Sequence, residues 1–235
     1  MRILSDFAIP GQRAPALAIL LPGALQQPED LVRAGFIETV RQRAVPLDLA
    51  LLDLGLEYIG DSTDGTVLQR IHDRVVQPAR LNNYCEIWLV GISIGGFMAI
   101  SYAERYPGQI SGLCLLAPYP GNRILTGQIR AAGGLQRWHA NSAAGDDAEC
   151  RVWRWLHTQR TQTATAQSPQ IHLGYGREDR FGSGLDLMAD ALAAHADTVA
   201  GGHDWQAWQQ LWINFIDRTA TRFGHGNRIP SHDAQ

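Results

Sequence analysis

Gly91-Ile92-Ser93-Ile94-Gly95 is the first stretch of the chain whose residue types and spacing could do chemistry. It has the G-x-S-x-G spacing of a nucleophile elbow. A serine on a tight strand-to-helix turn adopts a strained backbone, and a side chain at either flanking glycine would collide with that turn. The turn lifts the hydroxyl clear of the sheet. The helix that begins behind it presents backbone N–H groups to a developing negative charge. The competing interpretation is a glycine-rich turn with a serine helix cap. What separates the two is whether an acid and a histidine follow at the ends of later strands.

The surrounding pattern supplies the strand and the helix that the turn needs. Ile87 to Val90 is a short apolar run, and Phe97, Ile100, Ser101, Ala103 and Tyr106 recur at helical spacing after it. Upstream, Ala16 to Leu21 reads as a strand covered on both faces and stops at Pro22-Gly23-Ala24. A helix with Pro28, Glu29 and Asp30 in its first turn follows, with Leu31, Phe36, Ile37 and Val40 on one face. Val45–Leu52 and Ile110–Ala117 read as strands, Thr66–Leu81 as a helix and residues 53–65 as a loop. Residues 1–15 form an edge strand and a turn at Pro10-Gly11. Strands alternating with helices predict an α/β fold: a mostly parallel sheet with right-handed crossovers and helices on both faces.

The alternation stops at Pro118 and resumes at Ile171-His172-Leu173-Gly174-Tyr175. The intervening residues 118–169 carry Trp138, Trp153 and Trp155 and are too long for an ordinary connection. They are expected to form a helical lid inserted in a single domain spanning residues 1–235; the alternative is a surface helix whose tryptophans pack on the core. Two loops then leave predicted strands: Gly176-Arg177-Glu178-Asp179-Arg180, and Gly201-Gly202-His203-Asp204 after Thr198-Val199-Ala200. Leu185–Ala194 is helical. Trp205, Trp208, Leu211, Trp212, Phe215 and Ile216 mark a last amphipathic helix, and residues 224–235 are expected to be a flexible tail.

Composition bounds the rest. A chain of 235 residues with 45% hydrophobic and 18% charged residues can bury one sizeable core. A formal charge of −3 without a basic run argues against nucleic acid as a partner. No stretch approaches the roughly 20 apolar residues that span a bilayer. Asp6 interrupts the position where a signal peptide would continue, so a cytoplasmic location is expected. Cys85, Cys114 and Cys150 form no C-x-x-C pair, and the first two read as reduced core residues. The remaining histidines show no metal-ligand spacing, so neither metal nor cofactor is expected.

The order Ser93, Asp179, His203 resembles that of the α/β-hydrolase family, whose triad runs nucleophile, acid, histidine along the chain. Gly-Gly-His-Asp-Trp at 201–205 is similar to the histidine loop of the family's small serine esterases and acyl hydrolases. The resemblance extends from about Ala16 to Phe223; the 118–169 segment matches nothing in it. It implies that Ser93 is the nucleophile, that His203 is the base that takes its proton, and that Asp179 orients the imidazole and stabilises its cation. Glu178 is the rival acid, and Asp53 would be the next candidate. It also implies an oxyanion hole. One donor is the N–H of Ile94, and the other comes from the loop after Ala16–Leu21, where the family often has His-Gly and this chain has Pro22-Gly23-Ala24-Leu25. Proline has no N–H, which leaves Gly23, Ala24 or, third in order, Leu25; the resemblance implies Ala24, the residue that faces the site after the glycine turn in the family pattern.

The expected function is cofactor-free hydrolysis of a small-molecule carboxylic ester or thioester through an acyl-enzyme, with Trp138, Trp153 and Trp155 lining an apolar pocket. Acyl transfer or cofactor-free peroxidase chemistry on the same fold is the alternative, and a non-catalytic binding protein is the alternative of another class. The sequence leaves the oligomeric state open. A dinucleotide site is disfavoured, because Gly91-x-Ser93-x-Gly95-Gly96 is not G-x-G-x-x-G.

Overall fold

The structure is a computed structural model that describes residues 1–55, 65–138, 147–161, 168–192 and 196–224. Its centre is a seven-stranded sheet of β1 (Arg2–Asp6), β2 (Ala16–Leu21), β3 (Leu47–Asp53), β4 (Glu86–Ile92), β5 (Gly112–Leu116), β6 (Gln170–Gly176) and β7 (Asp197–Val199), in the spatial order β1-β3-β2-β4-β5-β6-β7. β1 runs antiparallel to β3, and every other pairing is parallel. The middle strands are apolar almost throughout because helices cover both faces; all six residues of β2 and all five of β5 are buried.

The helices are α1 (Pro28–Arg33), α2 (Phe36–Gln42), α3 (Thr66–Ile71), α4 (Gln77–Leu81), α5 (Ile94–Arg105), α6 (Arg123–Ala131), α7 (Ala148–Thr161), α8 (Gly182–Leu192) and α9 (Trp205–Gly224). The helix expected after Pro22-Gly23-Ala24 is two, because Gly35 takes a left-handed φ of 76° that no helix interior accepts. The helix expected over 66–81 is divided by a π-helical turn, His72–Val76. Pro78 has no N–H to give to Arg74, and the turn before it widens. There the His72 ring stacks on Tyr106 at 4.3 Å and its Nδ1 lies 2.9 Å from the Tyr102 hydroxyl. Among the described residues no helix is long and apolar enough to cross a membrane.

Of the cysteines, Cys114 and Cys150 are buried, but Cys85 is exposed. It lies in the turn before β4 rather than in that strand's apolar run, which corrects the expectation of a core residue. The tail expected over 224–235 lies outside the described residues from 225 onward, as does most of the 53–65 loop.

Candidate active site

β4 ends at Ile92, and α5 begins at Ile94. Ser93, between them, has φ 53° and ψ −117°, a conformation uncommon for any residue with a side chain. Backbone crowding accounts for the glycines around it. A Cβ on Gly91 would lie 2.4 Å from the Gly95 carbonyl oxygen, and one on Gly95 would lie 2.2 Å from that of Leu21. The start of α5 is therefore pressed against the end of β2. The turn is tied by Ser93 N–H to the Leu116 carbonyl at 3.1 Å and by Tyr119 N–H to the Ser93 carbonyl at 2.8 Å. The Ser93 side chain caps no helix amide, so the helix-cap interpretation loses its hydrogen bond.

β6 ends in the acid loop and β7 in the histidine loop, and both open at the same edge of the sheet as the serine turn. His203 Nε2 lies 2.9 Å from Ser93 Oγ, and His203 Nδ1 lies 2.8 Å from Asp179 Oδ2. A carboxylate only accepts hydrogen bonds, so Nδ1–H donates to Asp179 and Nε2 is left to accept from the serine hydroxyl. Asp179's other oxygen accepts the Phe181 N–H at 2.8 Å, which fixes the carboxylate's direction. The side chains of Asp179 and His203 are 0% and 6% exposed, so bulk water does not compete for the contact. Two aromatic edges hold the imidazole: Phe181 at 5.0 Å and Trp208 at 5.2 Å, both near perpendicular.

The neighbouring carboxylate points elsewhere. Glu178 Oε2 accepts the Gly201 N–H at 2.7 Å and does not reach the ring. Asp53 is further removed still; its carboxylate accepts from Gly55 N–H and Arg2 at the β1 side of the sheet. Asp204 caps α9 with one oxygen on the Ala207 N–H and holds Gly202 N–H with the other. These backbone donors, Ala207 first, lower its pKa.

Of the expected oxyanion donors, the Ile94 and Ala24 N–H groups engage no protein acceptor among the described residues. Gly23 differs: its N–H is taken by the Gln26 side-chain oxygen at 2.6 Å, inside a turn of its own. That bond occupies the Gly23 N–H, whereas the Ala24 N–H is not so engaged.

The tryptophans of the 118–169 segment pack on the hydrophobic core. Trp153 is 0% exposed and its indole N–H donates to the Pro120 carbonyl at 2.9 Å, so it is a core residue and lines no open pocket. Trp138 and Trp155 are half-buried and pack on the same core. α7 lies against α5 and α8. The aromatic residues around Ser93, His203 and Asp179 are Tyr119, Phe181 and Trp208, none of which the sequence marks as a site residue. Tyr119 packs edge-on against Phe181 at 5.8 Å and Phe97 at 6.0 Å. Its hydroxyl donates to Glu149 at 3.2 Å, and burial together with that carboxylate pushes its pKa up to about 12. The available signal was position, since Tyr119 follows the end of β5 and Phe181 stands two residues after Asp179.

No family model matches the sequence, and a search of curated proteins finds no relative. Solved structures do match. Est1E from Butyrivibrio proteoclasticus superimposes with a TM-score of 0.59 at 16% identity, over 93% of this chain and 94% of that one. A ferulic acid esterase superimposes with a TM-score of 0.62 at 13% identity, over 95% and 98%. FphF, a fluorophosphonate-binding serine hydrolase of Staphylococcus aureus, gives 0.60 at 14% identity, over 92% and 85%. The chain has the α/β-hydrolase fold. Within that fold the 118–169 segment contributes α6 and α7, and residues 139–146 and 162–167 of it lie outside the described residues.

Proposed function

We propose that this α/β-hydrolase-fold chain is a serine hydrolase that cleaves a carboxylic ester or thioester through an acyl-enzyme. The observation that carries this is the unbroken relay Ser93–His203–Asp179, with both contacts inside hydrogen-bond distance and the acid fully buried. In the first half-reaction His203 Nε2 takes the Ser93 proton as Oγ adds to the substrate carbonyl carbon. The resulting oxyanion is held by the Ile94 N–H and, from the loop after β2, the Ala24 N–H. His203 then returns the proton to the leaving alcohol or thiol, and the C–O or C–S bond breaks. A water molecule repeats the sequence on the acyl-enzyme and releases the acid. Asp179 keeps Nδ1 protonated and stabilises the imidazolium in both halves.

Tyr119, Phe181 and Trp208 make the ground beside the serine aromatic, which suits a flat acyl group. A structure of Est1E with ferulic acid bound belongs to the same set of similar folds and supports including esters of aromatic acids among the substrates tried. The test is intact-mass analysis after treatment with a fluorophosphonate probe, with turnover measured on p-nitrophenyl esters of increasing length and on an aryl ester. One adduct is expected on the parent chain and none on Ser93→Ala. The serine variant should keep its melting temperature and lose roughly 10⁶-fold in kcat. Ser93→Ala turning over within tenfold of the parent would end the proposal.

A further inference from the structure

His203 follows two residues without side chains, Gly201 and Gly202, and Gly201 sits at φ 111°, a backbone region that residues with a Cβ avoid. Such a segment loses more conformational freedom on ordering than any other pair of residues would. Yet the ring it carries must be held to within about 0.5 Å of the position that meets both Ser93 and Asp179. Something outside the pair has to fix it.

We propose that Glu178 is a positioning residue for His203, acting through Gly201. Two hydrogen bonds join the same two residues: Glu178 N–H donates to the Gly201 carbonyl at 3.1 Å, and the Glu178 carboxylate accepts the Gly201 N–H at 2.7 Å. The closed ring fixes both the distance and the rotation of the Gly201 peptide relative to the acid loop. Close packing of the backbones backs it, since a Cβ on Gly176 would fall 2.1 Å from the Gly201 carbonyl oxygen. The next residue along the acid loop, Asp179, takes the imidazole itself. Consecutive carboxylates thus hold consecutive parts of one loop: 178 the backbone before the histidine, 179 the ring. Asp204 secures the remaining N–H, that of Gly202, from the other side.

The role rests on the hydrolase proposal, because it concerns the alignment of a base with a nucleophile. It is distinct from the role of triad acid, since Glu178 touches neither the ring nor Ser93. The bond requires an acceptor of the right length and does not require charge. Gln keeps the acceptor and removes the charge. Asp keeps the charge but is shorter by one C–C bond, about 1.5 Å, and cannot span the gap. Ala removes both.

The experiment compares Glu178→Gln, Glu178→Asp and Glu178→Ala with the parent by steady-state kinetics on one p-nitrophenyl ester and by amide hydrogen exchange at Gly201. A misplacement of about 1 Å costs up to roughly 10²-fold, so the Asp and Ala variants should lose about tenfold or more in kcat with KM within about twofold. Gln should stay within about threefold of the parent, because the acceptor remains. Exchange at Gly201 should be slow in the parent and Gln and faster in Asp and Ala. If Asp matches the parent while Gln falls, charge is what matters and the proposal is overturned. It is equally overturned if all three variants match the parent in kcat and exchange. Should Ala fail to fold, the Asp–Gln pair still decides. Failure of the hydrolase proposal looks different: the parent neither labels nor turns over, whatever the exchange at Gly201 does.

Discussion

The serine turn and the histidine loop face each other across 2.9 Å, and they are held by different physics. The serine turn is fixed by exclusion. Gly91, Gly95 and Gly96 are approached so closely by their neighbours that no side chain fits, and hydrogen bonds to Leu116 at the end of β5 and from Tyr119 just beyond it tie the turn. The histidine loop is fixed by attraction. Its two glycines are soft, and carboxylates from Glu178, Asp179 and Asp204 hold its amides and its ring. Ser93 thus sits on a mount made of close-packed backbone, and His203 sits on one made of hydrogen bonds to side-chain acceptors. The contrast makes the serine side vulnerable to added volume and the histidine side to lost acceptors.

The largest expected effect on the histidine side is at Asp179. Asp179→Asn keeps shape but removes the charge that stabilises imidazolium and favours the wrong tautomer, so turnover should fall roughly 10⁴-fold with the melting temperature little changed. Kinetics of this variant beside Glu178→Gln on one ester separate the two carboxylates. Next is the serine side. Gly95→Ala places a methyl group 2.2 Å from the Leu21 carbonyl oxygen and 2.5 Å from that of Pro22, neither of which can rotate away. The turn has to shift, at a cost of about 1–3 kcal/mol of stability. The accompanying displacement of Ser93 should cost roughly 10²-fold in kcat. Chemical denaturation and kinetics on the same preparation check both figures. A Gly95→Ala variant with parental kcat would show that the crowding is not what positions the serine.

The smallest effect is at Asp204, and there the sign with pH is specific. Its folded pKa is depressed by the Ala207 and Gly202 amides, so its contribution to stability is full above its ordinary value of 3.8 and is lost as pH falls through the lower folded value. Asp204→Ala should therefore cost about 1 kcal/mol at neutral pH, the usual worth of a helix cap, and lose less than the parent on acidification below about pH 4. Urea melts at pH 7 and pH 3 measure the difference. Equal losses in both proteins would remove Asp204 from the scheme.

How much of this could be read in the sequence follows the same division. The serine turn was legible, because crowded backbones demand glycine, and glycine at 91 and 95 is visible as a spacing. The central strands were legible as apolar runs for a related reason: burial on both faces leaves no polar alternation. The acid was legible only to within one residue. Which of Glu178 and Asp179 faces the ring depends on the course of a loop, and that course is set by the Phe181 N–H and the Gly201 peptide, one of them on another strand's loop. Gly23 is an oxyanion candidate by position in the sequence, and only the structure shows its N–H engaged by Gln26, three residues on. Trp153 misled for a different reason. Aromatic residues in an unassigned segment suggest a ligand, yet its indole is buried where it holds the Pro120 carbonyl, while the aromatics at the site were hidden in ordinary strand and helix ends.

The sheet ends in two unlike strands, and both discourage growth. β7 is three residues long, and its Asp197 carboxylate is engaged by Asn214 and Arg218. β1 carries Arg2 at one end, shared between Glu29 and Asp53, and Asp6 at the other, paired with Arg41. An incoming strand from another molecule would find too few open backbone groups on one border and would have to strip charged pairs from water on the other. For a protein whose middle strands are almost wholly apolar, that is protection against fibre-like stacking, and it lies at the two borders of the sheet.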